Sequence, residues 1–244
     1  MNAKQLAAQA AAALISPGMC VGLGTGSTAD CFIDALARRV QHDNLTVTVV
    51  ASSVISQINA EQARLTVTSL AAIDQLDVYV DGADEIAPDL TVLKGRGQDL
   101  VQEKLLAKAA KEFWIIADTS KHVSNIGQQH PVAVEILPAA LKLAQQKLAQ
   151  LDIQTTLRKQ PDGGNVFITA AGNLVLDVRL PSGDTGRWAR RLDAVPGVIE
   201  HGIFHHLVNR ALIGDDTKVT TFFPENDAPE AFAMIYDDGD SDGD

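Results

Sequence analysis

The chain has 244 residues, of which 46% are hydrophobic and 21% are charged. This composition is typical of a globular protein and excludes a disordered, collagen-like or coiled-coil chain. Lys and Arg total 20 against 31 Asp and Glu residues, so the formal net charge is −11. No basic block supplies the face that a nucleic-acid binder uses to neutralise phosphates, and we expect no nucleic-acid partner.

Cysteine usage and hydropathy bear on the compartment. Cys20 and Cys31 form neither a CxxC pair nor a zinc pattern, which favours free thiols in a reducing compartment. No apolar run reaches the roughly 18 residues that span a membrane, so we expect no membrane partner. The six histidines have no spacing typical of metal ligands. The sequence therefore predicts a cytoplasmic protein without a metal.

Predicted strands and helices alternate over the first 120 residues. Helices are predicted at 2–15, 27–40, 54–63 and 99–111, and strands at 19–23, 45–51, 65–68, 77–80 and 113–117. Such alternation is typical of βαβ units with a mostly parallel sheet. The length suits one large domain or a main domain with a smaller one.

The pattern changes beyond residue 130. Strands are predicted at 132–137, 152–158, 166–169 and 174–178, and helices at 138–151 and 187–194. Segments 202–207 and 219–223 are predicted to return as strands to the main sheet. We therefore predict a main domain from 1–130 and 203–224, a small α+β domain at 131–202, and a flexible acidic tail at 225–244. That tail lacks the spaced Glu of a calcium loop.

The segment GTGSTA (24–29) lies between a predicted strand and a predicted helix. Free amides at the helix start, with the hydroxyls of Thr25, Ser27 and Thr28, suit a phosphate. The segment also fits a loose dinucleotide fingerprint, but the next strand ends in ASS (51–53) without the acidic residue that holds a ribose. NAD is therefore excluded. A Ser or Thr cap on a tight turn is the structural alternative.

The segment DGADE (81–85) stands at the carboxyl end of a predicted strand. Ligands of open α/β sheets bind beyond this edge. Closely spaced carboxylates repel one another, which raises a pKa and creates an acid. The alternative is an Asp-Gly turn followed by a helix cap.

A basic glycine segment, KGRG (94–97), precedes a predicted helix that contains Glu103. Helical spacing places Glu103 on the apolar face with Leu100 and Leu106, and predicts another face for Lys104, Lys108 and Lys111. A carboxylate on an apolar face is costly unless it is paired or functional. Partial desolvation raises its pKa toward that of a working base. The alternative is a Glu that favours the first turn of a helix through the helix dipole.

A fourth motif, DTSK (118–121), directly follows the apolar strand FWIIA. This position is again the carboxyl end of a strand, where ligands of α/β sheets bind. Lys121 is therefore a candidate contact for a phosphate or sugar oxygen. The alternative is a solvent-exposed loop lysine.

Together these motifs resemble ribose-5-phosphate isomerase of the A type. The matching segments are GLGTGSTA (22–29), YVDGADEI (79–86), LKGRG (93–97), EK (103–104), IADTSK (116–121), GNLVLDV (172–178) and PGVIEHGIF (196–204). The resemblance covers residues 1–222. It implies a Rossmann-like main domain with a small α+β domain, a homodimer or homotetramer, and a sugar phosphate as the small-molecule partner. It further implies interconversion of D-ribose 5-phosphate and D-ribulose 5-phosphate in the pentose phosphate pathway without a cofactor.

The same resemblance implies roles for individual residues. Glu103 is the expected base, Lys94 stabilises the cis-enediolate oxygen, and Asp81 or Asp84 assists ring opening and proton exchange. Lys4 matches a lysine that approaches the phosphate in some members. The expected substrate-binding residues are Thr25, Gly26, Ser27, Thr28, Asp81, Gly82, Ala83, Asp84, Lys94, Gly95, Arg96, Gly97 and Lys121.

The sequence departs from this family pattern near the base. Gln98 and Asp99 stand where small residues are usual, and Gln102 stands where Arg is common. The added negative charge and the missing positive charge leave an altered sugar-phosphate substrate as an alternative. Another alternative is a sugar-phosphate sensor, which would carry a helix-turn-helix for which the N-terminus leaves no room. A deaminase or lactonase of similar fold would need a different set of bases.

Overall fold

The computed structural model describes residues 2–224, which form six α-helices and fourteen β-strands. The predicted acidic tail, 225–244, lies outside the described residues. The helices are α1 (Ala3–Ala13), α2 (Ser27–His42), α3 (Val54–Gln62), α4 (Leu100–Ala109), α5 (Leu141–Ala149) and α6 (Thr185–Asp193). The strands are β1 (Cys20–Leu23), β2 (Thr48–Ala51), β3 (Thr66–Thr68), β4 (Leu76–Asp81), β5 (Glu85–Ile86), β6 (Val92–Leu93), β7 (Ala110–Asp118), β8 (Val132–Ile136), β9 (Gln154–Leu157), β10 (Leu174–Arg179), β11 (Val198–His201), β12 (Ile203–Phe204), β13 (Arg210–Gly214) and β14 (Val219–Phe222).

Seven strands form the central sheet in the order β14-β13-β7-β4-β1-β2-β3. Neighbours from β13 to β3 run parallel, and β14 is antiparallel at one edge. The long apolar runs of β4 and β7 are buried, as expected for strands covered on both faces. The chain therefore has an α/β fold with a mostly parallel sheet, as predicted.

Helix α1 packs on one face of this sheet beside α2. A capping box starts the helix, because Asn2 Oδ1 accepts from Gln5 N and Gln5 Oε1 accepts from Asn2 N, each at 3.0 Å. Five buried alanines allow α1 to approach its neighbours closely. This packing places Lys4 beside the first turn of α2, where Lys4 Nζ lies 3.3 Å from Ser27 Oγ.

Two smaller antiparallel sheets complete the structure. Strands β11, β8, β10 and β9 form one, in that order, and β12, β6 and β5 form the other. The first lies within 131–202, the segment predicted as a small domain, and the division into domains stays a prediction.

The structure corrects two predicted strands. Segment 202–207 does not join the main sheet, because β12 pairs with β6 and the unpredicted β13 lies beside β7 instead. A Cβ on Gly202 would lie 2.2 Å from the carbonyl oxygen of Lys94, so this glycine lets the backbone approach β6. Segment 166–169 makes only isolated bridges. No helix within residues 2–224 is long and apolar enough to cross a membrane.

Candidate active site

A cavity of about 440 Å³ opens at the edge of the central sheet where β1, β4 and β7 end. Ligands of open α/β sheets bind at this edge. The structure brings together there every predicted substrate-binding residue except Asp81, and adds Lys4 and Glu103. The lining residues are Lys4, Thr25, Gly26, Ser27, Thr28, Gly82, Ala83, Asp84, Lys94, Gly95, Arg96, Gly97, Glu103 and Lys121.

The ammonium group of Lys94 is the centre of the buried charge in this cavity. Lys94 Nζ lies 2.7 Å from Asp81 Oδ2 and 3.3 Å from Glu103 Oε2, and it donates to the carbonyl oxygen of Gly82 at 2.9 Å. Burial lowers the pKa of Lys94, but the charges of Asp81 and Glu103 outweigh it and raise the pKa above its usual value. Lys94 therefore remains a cation at neutral pH.

Asp81 lies behind the cavity wall and is fully buried. Its Oδ1 accepts from the backbone N–H groups of Gly82 at 2.7 Å and Thr25 at 3.2 Å. Its Oδ2 accepts from the Tyr79 hydroxyl and from Lys94. Both oxygens are thus occupied, so the geometry makes Asp81 the counter-ion that fixes Lys94.

Glu103 is a buried carboxylate on the first turn of α4, as its helical spacing predicted. Burial raises its pKa from 4.5 to about 7; Lys94 opposes this rise, and the negative charge of Asp81 adds to it. Within the described chain, Glu103 Oε2 accepts no hydrogen bond of good geometry, although it lies near Lys94. This oxygen can therefore take up a proton near neutral pH.

Asp84 lines the cavity and lies in the chain between Gly82 and the short strand β5. It is half-buried, and burial raises its pKa, while Lys94 and Arg96 oppose the rise. The predicted alternative for this segment, a turn followed by a helix cap, is wrong, because β5 follows it. Asp84 is thus a second carboxyl group that can donate or accept a proton inside the cavity.

The other end of the cavity is built to hold an anion. Helix α2 begins at Ser27, and its N-cap is Gly26, which has a φ of 98° and makes no side-chain cap. The alternative of a Ser or Thr cap is therefore wrong, and the amides of the first turn stay free for a ligand. Lys4 and Lys121 line the same cavity.

One hydroxyl in this loop points elsewhere than predicted. Thr25 Oγ1 lies 2.8 Å from the hydroxyl oxygens of Ser52 and Ser53. Those serines follow β2, so the Thr25 side chain joins two loops of the sheet edge. The hydroxyls that the loop offers to an anion are those of Ser27 and Thr28.

Lys104, which helical spacing predicts on another face than Glu103, is itself buried. Its Nζ lies 2.5 Å from Glu200 Oε1 and donates to the carbonyl oxygens of His201 and Ile203 at 2.6 and 3.0 Å. Helical spacing gives the direction of a side chain but not which neighbouring strand covers it.

Sequence reasoning missed two residues beneath the cavity. Tyr79 donates to Asp81 and shares its face of β4, because residues two apart in a strand point the same way. Gly24 lies against the same carboxylate, since a Cβ there would stand 2.0 Å from Asp81 Oδ1. The period of two could have revealed Tyr79, whereas nothing in the sequence indicates the contact of Gly24.

The described residues contain one group of three side chains that could hold a metal ion, Asp193, Glu200 and His201. Lys104 already bonds Glu200, and His201 Nε2 lies 3.1 Å from Asp193 Oδ1. A buried ammonium group within bonding distance of a ligand oxygen opposes a second cation there. These residues are outside the cavity and form a structural network.

Comparisons with known proteins point to one family. The family model described as ribose 5-phosphate isomerase A (phosphoriboisomerase A) matches residues 48–218. A ribose-5-phosphate isomerase A of Bacillus mycoides is 39% identical over 91% of this chain and all of its own length. The structure of ribose 5-phosphate isomerase A from Methanocaldococcus jannaschii superposes with a TM-score of 0.86 and 32% identity, covering 90% of this chain and 97% of that one. A second structure, a D-ribose-5-phosphate isomerase in complex with phospho-erythronic acid, has the same TM-score and identity and covers 91% of this chain and all of its own.

Proposed function

The chain belongs to the ribose 5-phosphate isomerase A family, and on that premise we propose that Glu103 is the base of its reaction. The activity is the interconversion of ribose 5-phosphate and ribulose 5-phosphate, a step of the pentose phosphate pathway. One proton leaves C2 of the aldose and one returns to C1 through a cis-enediolate. The observation that carries the proposal is the buried Glu103 carboxylate in contact with the Lys94 ammonium.

The proton transfer is matched to the properties of Glu103. Its pKa of about 7 leaves a substantial fraction ionised at neutral pH, yet makes the carboxylate basic enough to abstract a proton. A positioned base of this kind contributes roughly 10²–10⁴-fold to the rate. The same oxygen then returns the proton to the neighbouring carbon, so one side chain serves both half-reactions.

Lys94 stabilises the oxygen that becomes negative. When Glu103 takes the proton it loses its charge, and the enediolate oxygen becomes the second anion beside the ammonium group. The N–H that faces Glu103 is then free to donate to that oxygen, while Asp81 and the Gly82 carbonyl hold the other two. A preorganised donor at a developing oxyanion contributes about 3 to 4 kcal/mol.

The remaining side chains bind and prepare the sugar. Asp84, which lines the cavity and has a raised pKa, assists ring opening and moves the hydroxyl proton between O1 and O2. Asp81 acts through Lys94 as a positioning residue. The phosphate binds at the first turn of α2 with Lys4 and Lys121, and its binding energy orients the carbons. Gly95, Arg96 and Gly97 line the same cavity and contact the sugar.

A substitution of Glu103 by Gln tests the base. It keeps the shape of the side chain and removes its ability to take a proton, so kcat is expected to fall by roughly 10²–10⁴-fold while the sugar phosphate still binds. In D₂O the variant also stops incorporating deuterium into recovered substrate. Glu61→Gln, the same change at an exposed position of α3, is the matched control. A Glu103→Gln enzyme with near-normal turnover contradicts the assignment.

We also propose that the chain works in the cytoplasm as a homodimer or homotetramer. Support for self-association comes from α3, where Val54, Ile55 and Ile58 are 72%, 54% and 41% exposed. Neighbouring exposed apolar side chains favour a protein interface. Light scattering on the purified chain measures the mass directly, and a value of 26.0 kDa at micromolar concentration contradicts this proposal.

A further inference from the structure

A second cavity, of about 330 Å³, opens beside the start of α4 and shares no lining residue with the candidate active site. Its polar lining comes from Ser52, Ser53, Gln57, Gln98, Gln102 and two carboxylates, Asp99 and Glu135. No Lys, Arg or His is among the described residues that line it. The cavity therefore combines two acids with amides and hydroxyls but has no cation of its own.

Glu135 is fully buried in β8, and only one of its two oxygens is satisfied. Oε1 accepts from Thr169 Oγ1 at 2.8 Å and from Asn173 Nδ2 at 2.9 Å. Oε2 is equally buried but has no hydrogen-bond donor within residues 2–224. A buried carboxylate oxygen without a donor is costly. Glu135 Oε2 therefore needs a hydrogen-bond donor, and no described residue provides one.

Asp99 adds a second negative group to the same cavity. It is half-buried, and burial raises its pKa, with further rises from the negative charges of Glu135 and Asp81. Gln102, one residue before Glu103, lines the same cavity with Gln98. A bound cation would relieve the repulsion between the two carboxylates.

We propose that this cavity binds the ammonium group of a small aliphatic amine between Glu135 and Asp99. The ammonium N–H groups donate to Glu135 Oε2 and to the Asp99 carboxylate. The methylene chain packs on the small apolar side chains of the lining, Ala51, Val54, Val101 and Ala170. A metal ion fits less well, because neither carboxylate belongs to a described group of three metal-ligating side chains.

Binding of n-butylamine to the full chain tests the proposal. Calorimetry at pH 7 is expected to give one saturable site, and the unfolding midpoint is expected to rise with amine concentration as for any ligand of the native state. Three probes are compared at equal ionic strength: 1-pentanol, which has no charge, tetramethylammonium, which has no N–H donor, and Mg²⁺. Equal binding of any of these three overturns the proposal.

Two variants locate the site. Glu135→Gln keeps the oxygen that accepts from Thr169 and Asn173 but removes the charge, and it is expected to weaken butylamine binding at least tenfold. Gln102→Arg places a guanidinium group in the cavity and is expected to abolish binding, whereas Gln150→Arg, the same change at an exposed position of α5's C-cap, leaves it intact. If Glu135→Gln fails to fold, Gln102→Arg alone decides. Butylamine binding that survives Gln102→Arg overturns the proposal.

Discussion

Two buried lysines, Lys94 and Lys104, differ in what surrounds their ammonium groups. Both side chains are 5% exposed, and both Nζ atoms approach the Phe204 ring, at 6.0 Å for Lys94 and 4.7 Å for Lys104. Lys94 faces the cavity with two carboxylates beside it, and these raise its pKa despite burial. Lys104 is enclosed, and burial lowers its pKa because Glu200 offsets the loss of solvent only in part.

The charge of Lys94 thus faces the reaction, whereas the charge of Lys104 holds parts of the fold together. Lys104 bonds the carbonyl oxygens of His201 and Ile203, on both sides of Gly202, whose own carbonyl accepts the backbone N–H of Lys94 at 2.9 Å. Because Lys104 directly follows Glu103 on α4, its ammonium group fixes the helix of the base to the segment His201–Ile203, which in turn bonds the backbone of Lys94. Burial of a lysine alone therefore does not mark it as catalytic; access to the cavity does.

Replacing Lys94 by Met is expected to have the larger effect on the reaction. Met keeps the length of the stem but removes the cation that steadies the enediolate, so kcat is expected to fall by about 10²–10³-fold. Steady-state kinetics on ribose 5-phosphate measure it. The exposed Lys142→Met on α5 is the control. A variant that changes KM alone contradicts an oxyanion role.

Replacing Lys104 by Met is expected to act on stability first. It leaves Glu200 and two carbonyl oxygens without their buried partner, which costs about 3 to 5 kcal/mol of unfolding free energy by analogy with other broken buried pairs. The exposed Lys108→Met on the same helix is the matched control, and urea unfolding is the measurement.

The same variant separates positioning from folding. At a temperature where Lys104→Met is fully folded, loss of the tie between α4 and the strand is expected to lower kcat by about tenfold with little change in KM, since misplacement of a base affects mainly the transition state. Lys104→Arg, which keeps the charge, is expected to retain part of the kcat that Lys104→Met loses. Unchanged kcat in the folded variant means that Lys104 stabilises the fold without positioning Glu103.

The sequence predicted the place of Lys94 in the site but not the buried contacts of Lys104, and the reason is physical. Strand ends in a parallel sheet meet at one edge, so the motifs at 24–29, 81–85 and 118–121 converge from topology alone, whereas the motif at 94–97 follows β6 of a small antiparallel sheet. The partners of Lys104 lie near residue 200, and β12 pairs with β6 through backbone contacts that leave no periodic pattern. Contacts that depend on a two-residue strand or on the missing Cβ of a glycine cannot be found from one sequence.

The pH dependence of the rate also distinguishes Lys94 from Lys104. Because Glu103 has a pKa of about 7, kcat/KM is expected to fall about tenfold for each pH unit below 7. Lys94 lowers this pKa, so Lys94→Met is expected to move the inflection to higher pH, whereas Lys104→Met leaves it in place. A shift of equal size in both variants breaks the distinction between the two lysines.

Stability is expected to change with pH in the opposite direction to activity. The pKa of Glu103 is raised from 4.5 in the unfolded chain to about 7 in the folded one, so the folded state holds the extra proton between these values. The free energy of unfolding contributed by this group therefore decreases as pH rises through that window. Urea unfolding at pH 5 and pH 7 measures it, and Glu103→Gln is expected to remove this contribution.

Lys4 is a cation at the phosphate end of the cavity, far from the reacting carbons. Its substitution is expected to have the smallest effect on the kinetics. Its Nζ approaches Ser27 at the first turn of α2, so Lys4→Gln weakens phosphate binding by about 1 kcal/mol, as for a partly exposed charge pair. That loss corresponds to a roughly fivefold rise in KM with kcat unchanged, because ground state and transition state lose the same contact. Lys108→Gln is the control. A fall in kcat as large as the rise in KM contradicts this, and means that the phosphate end also orients the carbons between Glu103 and Lys94.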